Sequence, residues 1–379
     1  MESALNGSFT DLDIPLSAYW AAADVGLDGA RDRVAAALRR SSDFAEGLWD
    51  VDARWDSDLS SWTALCAQHG NVLGDRERFA ELGVLIEAAG RTAAGVPVVG
   101  TALAAIVLSG RDSESLTALR SGTPGALAWE GPGQRQLPIL SDGHLDGGVE
   151  FVFDGGAAQV LVAVAADADG RPLVCRVDDA AGVGRQRRAV ADPTRDLVSL
   201  RCDRVPVTVL ADGSEAAALL AELESAAAVA MALDALGSAQ AALDLAVEYA
   251  KRREQFGKLI GSYQAVAHHC SNMFMLVENA RSLTRMAAWA HAWQLPDAAL
   301  AASQAKHSAT ENAVEVGRIA IQVHGGIGMT WARPTHVHYK RAWVDRAALG
   351  SARHHRERIA VTLSAADPRN QPPMYRTPF

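Results

Sequence analysis

The feature that most constrains the fold of this chain is an alanine-rich stretch from Ala216 to Ala246. It lies inside a longer segment, 215–253, whose apolar residues recur with helical spacing. Four carboxylates interrupt it: Glu222, Glu224, Asp234 and Asp244. No uninterrupted apolar run is therefore long enough to span a bilayer, and the stretch predicts a long helix buried in a protein core.

Three further helical segments follow this stretch toward the C-terminus. They are 263–292, 297–323 and 334–364. Long helices joined by short connections are typical of a bundle, so the sequence predicts a four-helix bundle. The tail after Pro368 is rich in proline and is expected to be extended.

The first half of the chain changes its pattern near residue 121. Residues 15 to about 110 have helical spacing, and one helix, beginning at Phe79, is predicted to end at Gly90. After residue 121, short β-branched runs alternate with Asp-Gly and Gly-Gly turns, which predicts a compact antiparallel sheet domain. The clearest runs are 148–153, 160–164, 172–177 and 197–202. The predicted domains are helical over 1–120, a shortened β domain over 121–212, and a helical bundle over 213–379.

Charge and cysteine usage narrow the functional classes. A formal net charge of −9 disfavours non-specific binding to nucleic acid or to an anionic membrane. The cysteines are far apart in sequence: Cys66, Cys175, Cys202 and Cys270. We therefore expect reduced thiols in a cytoplasmic protein, with no metal site and no disulfide framework. The N-terminus has no basic region followed by an apolar stretch, so no signal peptide is expected.

Two glycine-punctuated segments carry the strongest chemical signal, Tyr249–Ala265 and Gln322–Thr330. Each lies where a predicted bundle helix ends. Glycines allow a ligand to approach the backbone, and free N–H groups there can face an anion. Arg252 and Arg253 have the geometry to bind phosphate oxygens in a bidentate manner. When each segment is taken alone, helix stops and solvated surface charge explain it better than a ligand site does.

Taken together, the two segments resemble the acyl-CoA dehydrogenase family. The shared pattern is Tyr-x-x-x-Arg-x-Gln-Phe-Gly-x-x-Ile-Gly-x-x-Gln-Ala, followed further along by Gln-x-His-Gly-Gly-x-Gly. Leu82–Arg91 is similar to the family's Glu-Gly-Arg helix, and Gly350–Arg358 to its closing segment. The resemblance implies a mainly α fold with a central β-barrel-like domain, and the α,β-dehydrogenation of an acyl-CoA thioester with FAD as the cofactor.

The resemblance also implies how FAD is held. In the family, each FAD crosses a subunit interface, and the neighbouring subunit holds the adenosine-diphosphate end. The residues that correspond to those contacts are Arg253, Gln255, Phe256, Gln322, Gly325 and Gly326. The flavin end lies between the β domain and the bundle.

The flavin-ring segments of the family are poorly preserved in this chain. Ala126–Gly133 keeps only an outline of the family's Leu-Thr-Glu-Pro segment. We find no counterpart of its Trp-Ile-Thr-Asn-Gly segment between Gly143 and Ala165. A flavin seated fully in this chain's own β domain is therefore not expected.

The catalytic carboxylate of the family is also missing. It occupies one of two positions, which in this chain are Leu349 and Ala227, and neither side chain can accept a proton. Glu224 lies three residues before Ala227 on the same helical face and is a candidate substitute base. The alternative role for Glu224 is a charge that closes off the helix surface.

This chain keeps the diphosphate-binding residues and lacks the base. In this combination it resembles the non-catalytic subunits of actinobacterial α2β2 acyl-CoA dehydrogenases. Some of those enzymes act on steroid side chains or other bulky acyl groups. The leading hypothesis is a subunit whose homologous partner supplies the base. One alternative is a self-sufficient homotetramer with an unusual base. Another is a flavin-free scaffold or acyl-binding protein that keeps only the fold.

Overall fold

The computed structural model describes residues 51–134 and 136–366. The helical pattern predicted before residue 51 and the extended tail predicted after Pro368 lie outside the described residues. The first helices are α1 (Val51–His69), α2 (Phe79–Thr92), α3 (Val98–Leu108) and α4 (Ser113–Arg120). Helix α3 is apolar and buried almost all round, so it forms part of the core between the helical region and the strands.

Helix α5 (Gly213–Arg252) is the central element of the fold. It packs against α2 and against most of the C-terminal helices, and every residue from Ser225 to Ala239 is buried. By length and composition alone it would be long and apolar enough to cross a membrane, but 67% of its most apolar window is buried inside the fold. This burial is typical of a core helix and agrees with the predicted buried helix.

Glycines allow α2 and α5 to approach each other closely. A Cβ on Gly90 would lie 2.1 Å from the carbonyl oxygen of Asp234 on α5, and one on Gly237 would lie 2.0 Å from the carbonyl oxygen of Glu87 on α2. Helix α2 continues past Gly90 to Thr92. The prediction that the helix ends at Gly90 is therefore wrong, because that glycine serves helix packing.

The middle of the chain forms a barrel-like sheet. Its strands are β1 (Gly125–Ala128), β2 (Ile139–Ser141), β3 (His144–Phe153), β4 (Val160–Ala166), β5 (Pro172–Val177), β6 (Gly184–Arg187) and β7 (Leu197–Ala211). Strands β2, β3, β7, β5 and β4 pair in succession, and β4 pairs back with β2 through Ile139 and Ala166. The strand ring therefore closes, as the family resemblance implies.

The prediction of a purely antiparallel sheet is wrong at β4. This strand runs opposite to β3, so it is parallel to β2 and also to β1. An Asp-Gly turn joins β2 to β3. Asp142 and Gly143 have φ values of 49° and 73°, which is the type I′ geometry that favours two-residue hairpins.

The C-terminal region contains α5 and four further helices. They are α6 (Gln264–Ala292), α7 (Ala298–His324), α8 (Thr335–Ala347) and α9 (Ala352–Ala366). The single helix predicted over 334–364 is in fact two, because Leu349 and Gly350 adopt φ values of 51° and 96° between them. The fold class, mainly helical with a central β domain, is confirmed. The domain boundaries at 120/121 and 212/213 stay predictions.

A buried cluster of charges joins the bundle to the β domain. Arg341 on α8 donates two hydrogen bonds of 2.8 Å to the Asp234 carboxylate on α5. Arg195, just before β7, donates to Asp234 at 2.6 Å and also to Asp345 on α8. Burial opposes ionisation of Asp234, but the two arginines outweigh it and hold its pKa below the usual range. Burial and the neighbouring Asp234 raise the pKa of Asp345. Asp234 is therefore the charged centre of the cluster.

We predict that Asp234→Asn lowers the free energy of unfolding by roughly 3–5 kcal/mol, because it removes the charged partner that two buried guanidinium groups share. Urea denaturation followed by circular dichroism measures this change. The matched control is Asp244→Asn on the same helix, whose carboxylate pairs with Arg91 at 3.1 Å and is 44% exposed. That variant should lose about 1 kcal/mol or less. Equal losses in the two variants would contradict a dominant role for the buried cluster.

Candidate functional site

The two glycine-punctuated segments lie side by side at one end of the bundle. Tyr249, near the end of α5, stacks on His324, the last residue of α7, with ring centroids 4.6 Å apart and planes 20° apart. The His324 ring also contacts the Ala320 carbonyl oxygen through Nδ1 at 2.8 Å. The fold therefore brings together the two segments that the sequence pattern treats as one site.

A short hairpin extends from the end of α5. Its strands are β8 (Glu254–Gln255) and β9 (Lys258–Leu259). Phe256 and Gly257 form the turn with φ values of 54° and 78°, the type I′ geometry. The Tyr263 hydroxyl donates to the Gln255 carbonyl oxygen at 3.1 Å and ties the hairpin to the start of α6. Gly257 is thus a turn residue in a defined loop.

Phe256 occupies an unusual position for a large aromatic residue. It is 94% exposed and adopts a left-handed conformation that non-glycine residues rarely take. Further exposed apolar side chains lie on the same two segments and on α6: Leu259, Phe274, Met275, Ile327 and Met329. Exposed apolar side chains in this number are typical of a surface that another chain or a ligand covers.

The glycines of the second segment leave the backbone open. A Cβ on Gly325 or on Gly326 would meet no atom within 4 Å, and Gln322 before them is exposed. Gly325 has a φ of 67°, which favours glycine. This part of the site therefore has the space that a ligand needs to approach the backbone closely, although the Gly325 N–H itself donates to the carbonyl oxygens of Ile321 and Gln322.

The structure distinguishes the two neighbouring arginines. Arg252 donates to Glu248 on the preceding turn of α5 at 2.8 Å. Arg253 is exposed, and no residue in the described part of the chain pairs with its guanidinium. Arg253, the residue that the resemblance assigns to the cofactor, is therefore the one available to an anion.

The two base positions of the family carry buried apolar side chains. Leu349 lies in the break between α8 and α9 and is 3% exposed, and Ala227 on α5 is fully buried. Glu224, the candidate substitute base, accepts hydrogen bonds from Arg358 and from His354 Nε2, the latter at 3.0 Å. The geometry favours its alternative role, a charge that ties α5 to α9.

The β-domain segment that corresponds to the flavin-ring contact packs directly on the bundle. A Cβ on Gly131 would lie 2.7 Å from the Cα of Leu349, and one on Gly350 would lie 3.1 Å from Pro132. Sequence patterns could not reveal this contact, since it joins residues more than two hundred positions apart. At this point the β domain and the bundle are in close contact.

A cavity of about 540 Å³ lies elsewhere, between the start of α2, the end of α3 and the His291 end of α6. On α5 it reaches only Glu222, which is about 140° around the helix from Ala227 at 3.6 residues per turn. None of the predicted site residues line this cavity. It is therefore separate from the predicted cofactor site.

We predict that Phe256→Ala leaves the thermal midpoint of the isolated chain within about 2 °C of the parent, because an exposed side chain contributes little to stability. Differential scanning calorimetry on the isolated chain measures it. Phe79→Ala, which removes a buried ring that contacts His291 at 4.4 Å, is the control and should lose several degrees. A large loss in Phe256→Ala would mean that its ring supports the fold of the single chain.

Comparison with known proteins agrees with this geometry. Residues 222–364 match the family described as acyl-CoA dehydrogenase, C-terminal domain. The chain is 28% identical over 344 residues to acyl-CoA dehydrogenase IpdE2 of Mycolicibacterium smegmatis, which covers 88% of this chain and 97% of that protein.

Two solved structures have a similar fold. A variant of the Tcur3481-Tcur3483 steroid ACAD superposes with a TM-score of 0.75 at 24% identity, covering 90% of this chain and 100% of the other. The ChsE4-ChsE5 complex from Mycobacterium tuberculosis gives 0.76 at 22% identity, covering 91% and 97%. Through residues 222–364 the chain belongs to the acyl-CoA dehydrogenase family, and it is similar to acyl-CoA dehydrogenases along most of its length.

Proposed function

We propose that this chain is the non-catalytic subunit of an FAD-dependent α2β2 acyl-CoA dehydrogenase. It contributes Arg253, Gln255, Phe256, Gln322, Gly325 and Gly326 to the adenosine-diphosphate half of an FAD whose flavin ring lies in a homologous partner. The partner supplies the carboxylate base and most of the acyl pocket. The observation that carries the proposal is a contrast within one chain: the residues of the diphosphate half are exposed and open, while both base positions hold buried apolar side chains.

The diphosphate half fits the group it would hold. Arg253 has a free guanidinium, and the backbone at Gly325 and Gly326 is open to approach. Arginine binds phosphate through paired charge-assisted hydrogen bonds. The exposed Phe256 ring would contact the nucleotide or the partner. Such a contact accounts for an aromatic side chain that is 94% exposed in the single chain.

The flavin half of this chain does not fit a flavin ring. The contact of Gly131 with Leu349 and Gly350 occupies the boundary where the family places the ring. At the end of β3, the Phe153 ring lies under the Arg195 guanidinium at 5.5 Å, so this side chain packs against the buried charges.

The missing base supports a division of labour between subunits. When bound, the flavin accepts a hydride from the acyl β-carbon, while a placed carboxylate removes the α-proton. Leucine and alanine at the two base positions cannot accept that proton. The carboxylate of Glu224 is engaged by Arg358 and His354, so it is not free to take the place of the missing base.

The substrate class follows from the relatives and is part of the proposal. The Tcur3481-Tcur3483 protein is described as a steroid ACAD, and the ChsE4-ChsE5 protein is a complex of two different chains. We infer a bulky acyl-CoA, such as a steroid side chain, for the assembled enzyme. The exposed apolar side chains of Phe256, Phe274 and Met329 are suited to association with a second chain.

We predict that Arg253→Ala in the assembled complex weakens FAD binding about tenfold or more, because it removes charge-assisted hydrogen bonds to phosphate. Titration of the deflavinated complex with FAD measures the dissociation constant. Arg252→Ala is the matched control, since it removes a neighbouring arginine that already pairs with Glu248. Unchanged FAD affinity in Arg253→Ala would sink the proposed function.

A further inference from the structure

Arg333 lies where the two cofactor segments meet, although no sequence pattern includes it. Its guanidinium carbon is 5.8 Å from the centroid of the Tyr249 ring, the same ring that stacks on His324. Burial lowers the pKa of His324, and the positive charge of Arg333 lowers it further. The histidine is therefore neutral, and Arg333 carries the positive charge at this junction.

The carboxylates near this junction do not neutralise Arg333. Glu248 is engaged by Lys251 at 3.4 Å and by Arg252 at 2.8 Å. Within residues 51–134 and 136–366, no carboxylate pairs with Arg253 or with Arg333. Two guanidinium groups thus face solvent at one end of the bundle without an anionic partner, which favours binding of a multiply charged anion.

The position of Arg333 on an aromatic ring also limits its freedom. A guanidinium held against a tyrosine face keeps its edge N–H groups available as donors. A lysine at this place would offer a point charge without the fork of donors that phosphate oxygens prefer. The arrangement is suited to a diphosphate more than to a single diffuse charge.

We propose that Arg333 binds the diphosphate of the same nucleotide together with Arg253, an inference that rests on the proposed function. Arg253 approaches from the hairpin after α5 and Arg333 from the loop before α8. The Tyr249–His324 stack fixes the separation of the two elements that carry them. The nucleotide is thereby recognised from both sides of the stack.

The test uses the assembled complex, deflavinated, with FAD, ADP and adenosine as probes in equilibrium titrations. Arg333→Ala should raise the dissociation constants of FAD and ADP about tenfold, a typical loss for a hydrogen bond to a charged group. Adenosine has no phosphate, so its affinity should change by less than about twofold. Arg333→Lys should fall between the parent and Arg333→Ala for FAD and ADP.

Arg318→Ala is the matched control, because this exposed arginine on α7 already pairs with Glu315 at 2.6 Å; its ADP affinity should equal that of the parent. Equal weakening of ADP and adenosine in Arg333→Ala would overturn the proposal, because it would indicate a structural role. If Arg253→Ala weakens FAD and Arg333→Ala does not, this inference fails and the proposed function stands. If neither variant weakens FAD, both fail.

Discussion

The ion pair between Arg341 and Asp234 is the interaction on which the arrangement of this fold depends. It joins α8 to α5, and Arg195 extends it from Asp234 to the start of β7. All of these groups are buried, so the pairing carries a desolvation cost that only the complete set offsets. We infer that this set of ion pairs specifies one relative position of the bundle and the β domain, and that it adds little net stability.

The relative position of bundle and β domain also determines the packing around Leu349, one of the two positions at which the family has its base. Lys306 on α7 donates to the carbonyl oxygens of Asp345 and Ala348 and so satisfies the end of α8. The chain then turns through Leu349 and Gly350, which meet Gly131 of the β domain. The buried charges and the contact of Gly131 with Leu349 are therefore parts of one packing arrangement.

Much of the architecture could be predicted from sequence because its signals are local. Apolar periodicity predicted the helices, and short β-branched runs alternating with Asp-Gly turns predicted the β domain. The roles of particular residues could not be predicted where distant partners determine them. Gly90 serves the approach of α2 to α5, and Arg252 differs from Arg253 only through its pairing with Glu248. Arg333 lies near Tyr249 only in the folded chain, and it is outside the two glycine-punctuated segments that predicted the site.

The most direct test of the central claim is the flavin content per chain, measured from the visible spectrum of the purified protein. For the chain purified alone, the shared-site account predicts little or no flavin. For the complex with its homologous base-containing partner, it predicts about one FAD for every two chains, as expected when two unlike chains build each site of a symmetric oligomer. About one tightly bound FAD per chain in the protein purified alone would contradict a shared site, because each site would then be complete without a partner.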